Sequence, residues 1–108
     1  MLVLVCGDRN WTNRGVIKAR LAQLPAGVTI IHGAARGADN LAGEIASALG
    51  FSVVPYPADW GKYGKGAGPV RNRVMLDQKP NLVIAFHDDL AASKGTRDCV
   101  TEANKRGI

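Results

Sequence analysis

Cysteine is nearly absent from this chain of 108 residues: Cys6 and Cys99 are too few and too far apart for a zinc site or a disulfide framework. Cys6 closes an apolar run and reads as a buried thiol serving as a small hydrophobe. Long hydrophobic stretches are missing too. No segment approaches the roughly 18 apolar residues of a membrane helix. The opening Met1-Leu2-Val3-Leu4-Val5 has no basic leader and meets Asp8 and Arg9 before an h-region can form. A soluble, cytoplasmic protein with no membrane partner is expected. Repeats, linkers and low-complexity segments are lacking, so the length allows one domain with one core. Acid is short as well. Nine Asp and Glu stand against fourteen Lys and Arg, and the formal net charge of +5 calls for an anionic partner without naming it.

What is present is ordinary globular material, 46% apolar and 21% charged, which argues against disorder. Thirteen glycines cluster between apolar runs, where backbone must turn or approach something closely. Residues 2–6, 28–31, 53–54 with their flanks, and 82–86 read as short strands buried on both faces. Helical patterns lie between them. Residues 13–24 turn Ile17, Leu21 and Leu24 inward before Pro25. Residues 38–49 carry the stripe Ala38, Leu41, Ala42, Ile45 and Leu49, stopped by Gly50. A third helix should begin near Pro69 and bury Val70, Val74 and Met75. A fourth should begin near Thr96, with Val100 and Ala103 inward and Gly107 as its stop. Strand then helix, four times over, predicts an α/β fold with a parallel sheet, right-handed crossovers and helices on both faces. Ligands of such sheets bind at the carboxyl ends of the strands, so the loops that follow them hold the functional candidates.

In the first of these loops, Gly7 lets the chain leave the strand tightly, Arg9 can reach an anion, and Thr12 or Asn13 can cap the next helix. A plain turn with a packing tryptophan, Trp11, is the simpler reading. The second loop, His32-Gly33-Ala34-Ala35-Arg36-Gly37-Ala38-Asp39, joins a strand to a helix N-terminus, where free N–H groups and the dipole suit a phosphate. It matches neither a Walker A nor a G-x-G-x-x-G sequence. Asp39 complements the dipole or, by analogy with ribose-binding acids, hydrogen-bonds a ribose hydroxyl. His32 reads as structural. The long third connection, 56–69, has Trp60 and Tyr63 among glycines and lysines and suits a flap. It runs into Arg71-Asn72-Arg73 in the first turn of a helix, where cations oppose the dipole unless an anion binds. The fourth loop ends in Gly95-Thr96-Arg97, with a hydroxyl able to cap a helix or bind an anion, and with Asp98 and Glu102 one turn apart. Eight of the fourteen cations (Arg9, Arg36, Lys62, Lys65, Arg71, Arg73, Lys94 and Arg97) fall in or beside these segments. Asp88-Asp89 raises Mg²⁺ as a cofactor candidate, against the commoner solvated pair; no metal ligand is assigned.

Taken together, Gly7-Asp8-Arg9 with Trp11, the segment 32–39, Pro57-Ala58-Asp59-Trp60, Gly68-Pro69-x-Arg71-Asn72-x-x-Met75, and Ala85-Phe86 followed by Gly95-Thr96-Arg97-Asp98 span nearly the whole chain in order. This set resembles the YspA-type, YpsA-related branch of the SLOG superfamily, found in bacteria and their phages. The resemblance implies a single Rossmann-like domain over 1–108, four to five parallel strands in the order 3-2-1-4-5, and a nucleotide or nucleotide-derived ligand in a bacterial cytoplasm. The chain ends at Ile108, where family members enter a fifth strand, so strand four is expected at an exposed edge, either covered by a homodimer partner or left by a truncation. Related phosphoribohydrolases use a Pro-Gly-Gly-x-Gly-Thr stretch and an arginine before a methionine. Gly95-Thr96 and Arg71 with Met75 are the nearest counterparts here. Their catalytic glutamate falls near Cys99, which leaves Asp98 and Glu102, with Arg71, as catalytic candidates.

Three functions are therefore carried forward. The first is binding or sensing of a nucleotide. Arg9, Arg36, Arg71 and Arg97, with backbone at Gly33–Ala35 and Gly95–Thr96, would take phosphate, and Asp8 or Asp39 ribose. The second is hydrolysis of an N-glycosidic or phosphoribosyl bond. The third is binding of single-stranded nucleic acid, with Trp60 and Tyr63 as stacking platforms.

Overall fold

The computed structural model describes residues 1–89 and 93–108. Four short β-branched runs form the strands β1 (Leu2–Gly7), β2 (Thr29–His32), β3 (Ser52–Pro55) and β4 (Leu82–Phe86). They pair in parallel in the order β3-β2-β1-β4. That is the expected order for four strands, and a fifth is not among the described residues. Between the strands lie α1 (Arg14–Leu21), α2 (Ala38–Ala48), the single turn α3 (Trp60–Tyr63), α4 (Ala67–Asp77) and, after β4, α5 (Lys94–Lys105). The fold is one α/β domain of the Rossmann-like kind. No helix of the described residues is long and apolar enough to cross a membrane.

The two-residue period of the strands divides the core into two layers. Val3, Val5, Ile30, Ile84 and Phe86 face Ile17 and Leu21 of α1 and Ala42 and Ala46 of α2. Leu4, Cys6 and Ile31 face Met75 and Leu76 of α4 and Cys99 and Ala103 of α5. Helices thus cover both faces. Each fully buried aliphatic side chain contributes about 1.5–3 kcal/mol, and Leu4, Ile17, Leu21, Ile30 and Ile31 are all of that kind.

Local details depart from the expected pattern. β3 is not buried on both faces: Val54 is 43% exposed, because β3 is an edge strand and α4 and α5 cover the sheet centre. Val74 is 43% exposed instead of inward. α4 starts at Ala67, not Pro69, so its buried stripe runs through Gly68, Asn72, Met75 and Leu76 and turns Val74 away. Pro69 becomes the third helical residue, still within the stretch where an N–H has no intrahelical partner. The same earlier start moves Arg71 and Arg73 into the second turn, where the opposing dipole has faded. The long connection is also more ordered than a flap. Asp59 caps α3 by accepting from the Lys62 amide at 3.0 Å, and a 3-10 turn, Gly64–Gly66, leads directly into α4.

Candidate functional site

Strands β2 and β3 extend the sheet to one side of β1 and β4 lies on the other, so the chain reverses direction across the sheet between β1 and β4. A crevice opens there, outside the carboxyl ends. Its floor is the end of β1. Gly7 lies against Phe86, and the next amide, at Asp8, donates to the Phe86 carbonyl at 2.9 Å. The Asp8 carboxylate accepts from the Asn10 amide at 2.9 Å, and its carbonyl accepts from Ala38 at 3.0 Å, which ties the first loop to the start of α2. Gly37 is required at this crossing. It has φ +79°, and a Cβ there would strike the backbone of Asp8 and Arg9. Asn13 caps α1 by accepting from Val16 at 3.2 Å. Trp11 packs on Phe86 with centroids 5.9 Å apart, a packing residue as expected.

The resulting cavity holds about 430 Å³, within the range of small-molecule sites. Three cations from three separate segments stand on its wall: Arg9 after β1, Arg71 of α4 and Lys94 at the start of α5. Gly95 and Thr96, in the first turn of α5, line it too, so the positive end of that helix faces the same space. Ser93, rather than Thr96, caps α5, its hydroxyl accepting from the Thr96 amide at 3.2 Å. Arg71 is held in place. Its guanidinium donates to the Gly33 carbonyl and, through Nε, to Asn72 Oδ1 at 2.9 Å. Gly33 is bare for this reason, since a Cβ there would lie 2.5 Å from the guanidinium carbon.

The loop between β2 and α2 differs from a phosphate cradle in one respect: the amides of Gly33, Ala34 and Ala35 already have acceptors. Asp39, 5% exposed, takes the Gly33 amide at 3.0 Å and the Ala35 amide as well. His32 Nδ1 takes the Ala34 amide at 3.0 Å. The loop has folded around an anion of its own. Burial pushes the Asp39 carboxyl up to about 6, against the pull of Arg71 and the two amides. Burial, with Arg71 nearby, lowers His32, which stays neutral and structural. A hydrogen bond to Cys99, then burial, raises the Cys6 thiol. It keeps its proton, as a small hydrophobe should.

A second cavity of about 400 Å³ adjoins the first and shares Arg9, Ala35, Arg71, Lys94 and Gly95 with it. Its own walls carry Gly33, Ala34, Lys65 and Trp60, whose indole is 55% exposed and lies over Gly68. Arg36 and Gly37 line a shallower groove beside Arg9.

Of the sequence candidates, then, Gly7, Asp8, Arg9, Ala35, Asp39, Arg71, Asn72, Gly95 and Thr96 share the main cavity. Arg97, Asp98 and Glu102 line none of these three spaces. Asp98 accepts from Asn72 Nδ2 at 3.2 Å and lies 3.5 Å from Arg73, while Glu102 lies 3.7 Å from Arg73 and 3.3 Å from Arg106. Those carboxylates dock α5 on α4. Asn72, 4% exposed, also bonds the Gly95 carbonyl at 3.3 Å and so positions the α5 start more than it offers a ligand contact. Cys6, Asn10, Met75, His87, Ser93 and Lys94 line the cavity without having been singled out as site residues. Lys94 was legible, since it immediately precedes the Gly95-Thr96 helix start.

Among the described residues, no group of three or more His, Cys, Asp or Glu could hold a metal ion. Comparison with known proteins agrees with this architecture. The family model described as YspA, cpYpsA-related SLOG family matches residues 1–63. The chain is also similar to the Gene 61 protein of Mycobacterium phage D29, 40% identical over 115 residues that cover 98% of this chain and 90% of that protein. No solved structure matches. With the first three strands and the cavity floor inside the matched region, and a near full-length relative beside it, the chain belongs to the YspA, cpYpsA-related SLOG family.

Proposed function

We propose that this protein binds a nucleotide or nucleotide-derived small molecule at the carboxyl edge of its sheet. The observation that carries this reading is the convergence of Arg9, Arg71 and Lys94 with the start of α5 on one cavity at the β1–β4 crevice. A phosphoryl group set there would meet three cations, the Thr96 hydroxyl and a helix dipole. Trp60, across the shared cationic wall, offers a planar face for a base. The loop amides of Gly33–Ala35 have no part in it, since Asp39 and His32 engage them.

Two features favour binding over the other readings. Asp98 and Glu102 serve the α4–α5 contact, which leaves a hydrolase without the carboxylates assigned to it. Tyr63 lies in a different groove from Trp60, under Lys62 at 5.1 Å, so the two aromatics form no common platform for a nucleic-acid strand.

Calorimetry against AMP, ADP, NAD and ADP-ribose tests the proposal. Binding to at least one is expected, and Arg9→Ala and Lys94→Ala should each weaken it roughly tenfold or more, the worth of a charge-assisted hydrogen bond. Both side chains are exposed, so melting should not change. Silence with all four ligands and a folded protein would overturn the reading.

A further inference from the structure

Asp39 is the one carboxylate that the described fold buries, and it lies on the wall of the cavity without taking part in the binding scheme above. Its oxygens take the Gly33 and Ala35 amides, a place where such a loop would otherwise meet a phosphate. No Lys, Arg or His of the described residues forms an ion pair with it. Arg71 of α4 acts on it at longer range, and its other titratable neighbours are the buried His32 of β2 and the thiols of Cys6 on β1 and Cys99 on α5. Facing it around the cavity are Asp8 and Arg9 from the first loop, His87 after β4 and Lys94 of α5.

Resting on the reading of this cavity as an anion site, we propose that Asp39 is a specificity-determining residue that couples anion binding to the uptake of one proton. An anion drawn to Arg71 takes up the positive potential that helps keep the Asp39 carboxyl ionised, and adds a like charge beside it. The carboxylate then takes a proton from solvent and becomes an O–H donor toward the cavity. Hydronium or the buffer acid gives up the proton as the carboxyl O–H forms, no bond of the ligand breaks, and the ligand enters together with H⁺. Ligands that carry permanent charge are disfavoured in alkali and admitted near or below neutrality. The carboxyl already titrates in that region, with burial as the cause.

The test is calorimetry of the full chain with ADP-ribose, whose pyrophosphate diester does not titrate near neutrality. Measurements run between about pH 6 and pH 8, each in two buffers of different ionisation enthalpy. The expected result is affinity roughly five- to twentyfold tighter at the acid end, with net proton uptake averaging about one half across the range. Asp39→Asn keeps an acceptor for the Gly33 amide. It should abolish the uptake and tighten binding at the alkaline end. His87→Asn removes the imidazole from the cavity wall, and should leave the uptake intact. Binding with equal heats in both buffers and a flat pH profile would overturn the coupling and spare the nucleotide reading. So would uptake that disappears in His87→Asn. Absence of binding at every pH would overturn both. The two-buffer measurement on the unaltered protein decides the matter even where Asp39→Asn fails to fold.

Discussion

Adding one methyl group at Gly33 should separate the site from the fold. The backbone there needs no left-handed conformation, as Gly33 is not among the residues with positive φ. The obstacle is Arg71. An alanine Cβ would lie 2.5 Å from the guanidinium carbon and 2.9 Å from Nε, so the guanidinium must swing away and release the Gly33 carbonyl. What moves is the far end of a flexible side chain, which reaches solvent once displaced. The stability cost is then the net worth of one hydrogen bond to a charged group, about 1.5–3 kcal/mol and less where water replaces it. A drop of roughly 7–13 °C in melting temperature corresponds to that range in a domain of this size. Ligand affinity should fall more sharply, by about ten- to a hundredfold, because Arg71 leaves the cavity wall. Gly37→Ala supplies the contrast: with φ +79° and the Asp8–Arg9 backbone in the way, nothing flexible can yield, and the fold itself should suffer. In an Arg71→Ala background, Gly33→Ala should cost almost nothing, a coupling that a double-mutant cycle reads directly. Gly33→Ala with unaltered ligand affinity would refute the reasoning, as would equal damage in both backgrounds.

Asp39 should also leave a mark on unliganded stability. Its carboxyl holds a proton to about pH 6 when folded, against an ordinary value of 3.8. The folded state is therefore the better proton binder between those values. The Asp39 contribution is fully present below the lower value and lost as pH rises through the upper one, a difference of about 3 kcal/mol. Urea unfolding between about pH 5 and pH 8 should show the decline, and Asp39→Asn should flatten it; an unchanged slope would count against the buried-carboxylate account. Asn13→Ala removes the α1 cap and should cost about 1 kcal/mol by the same assay, with ligand affinity unaltered. The indole of Trp60 is 55% exposed beside the second cavity, so its fluorescence should change on nucleotide binding while Trp60→Ala leaves melting nearly unchanged. Asp98→Asn and Glu102→Gln should lower stability by up to about 1 kcal/mol and leave affinity within twofold. A tenfold loss of affinity would return those carboxylates to the site.

The strands and the order of the sheet were legible because alternation and β-branching report burial directly. Residues 2–6 needed nothing more, while 82–86 form the strand as read but at the other edge of the sheet, with Ala85 exposed rather than buried. α2 was plain for the same reason: Ala38, Ala42 and Ile45 share one face, and the helix stops before Gly50. The start of α4 was not. Gly64, Gly66 and Gly68 carry no apolar signal, so nothing in the sequence marks the 3-10 turn that begins the helix ahead of Pro69. Two residues of displacement turned Val74 outward and took Arg71 and Arg73 from the first turn to the second. β3 misled in another way, since Val53-Val54 looks like any buried run and edge position is a property of the assembled sheet. Within the site, the glycine-bounded loops and the basic edge were readable as composition. The partners were not: Asn72 reaches Gly95 and Asp98 across 23 and 26 residues, and Arg71 reaches Gly33 across 38. Only the packing of α4 between β2 and α5 creates those contacts.

The internal bonding of the cavity bears on what kind of work it can do. Acyl or glycosyl chemistry needs a nucleophile or base that is both exposed to the ligand and uncommitted. Cys6 faces the space, but its thiol is hydrogen-bonded to Cys99 and holds its proton. His32 spends Nδ1 on the Ala34 amide, and a Cβ on Gly43 would come within 2.7 Å of its Nε2, so α2 covers its other side. The Asp8 carboxylate closes its own turn at Asn10, and Asp98 is engaged with Asn72 and Arg73. His87 accepts the Asp89 amide at 2.9 Å through Nδ1, which leaves Nε2 as the ring atom open to a partner. What faces the ligand space without such prior duties is cationic: Arg9, Lys94 and the first turn of α5. Arg71 faces it too, already pre-set by Gly33 and Asn72, so little side-chain entropy remains to be lost when an anion arrives. A wall whose acids and bases are structural and whose free groups are positive supports the binding reading proposed above. Asp39, the buried acid of that wall, would act there on affinity rather than on a covalent bond.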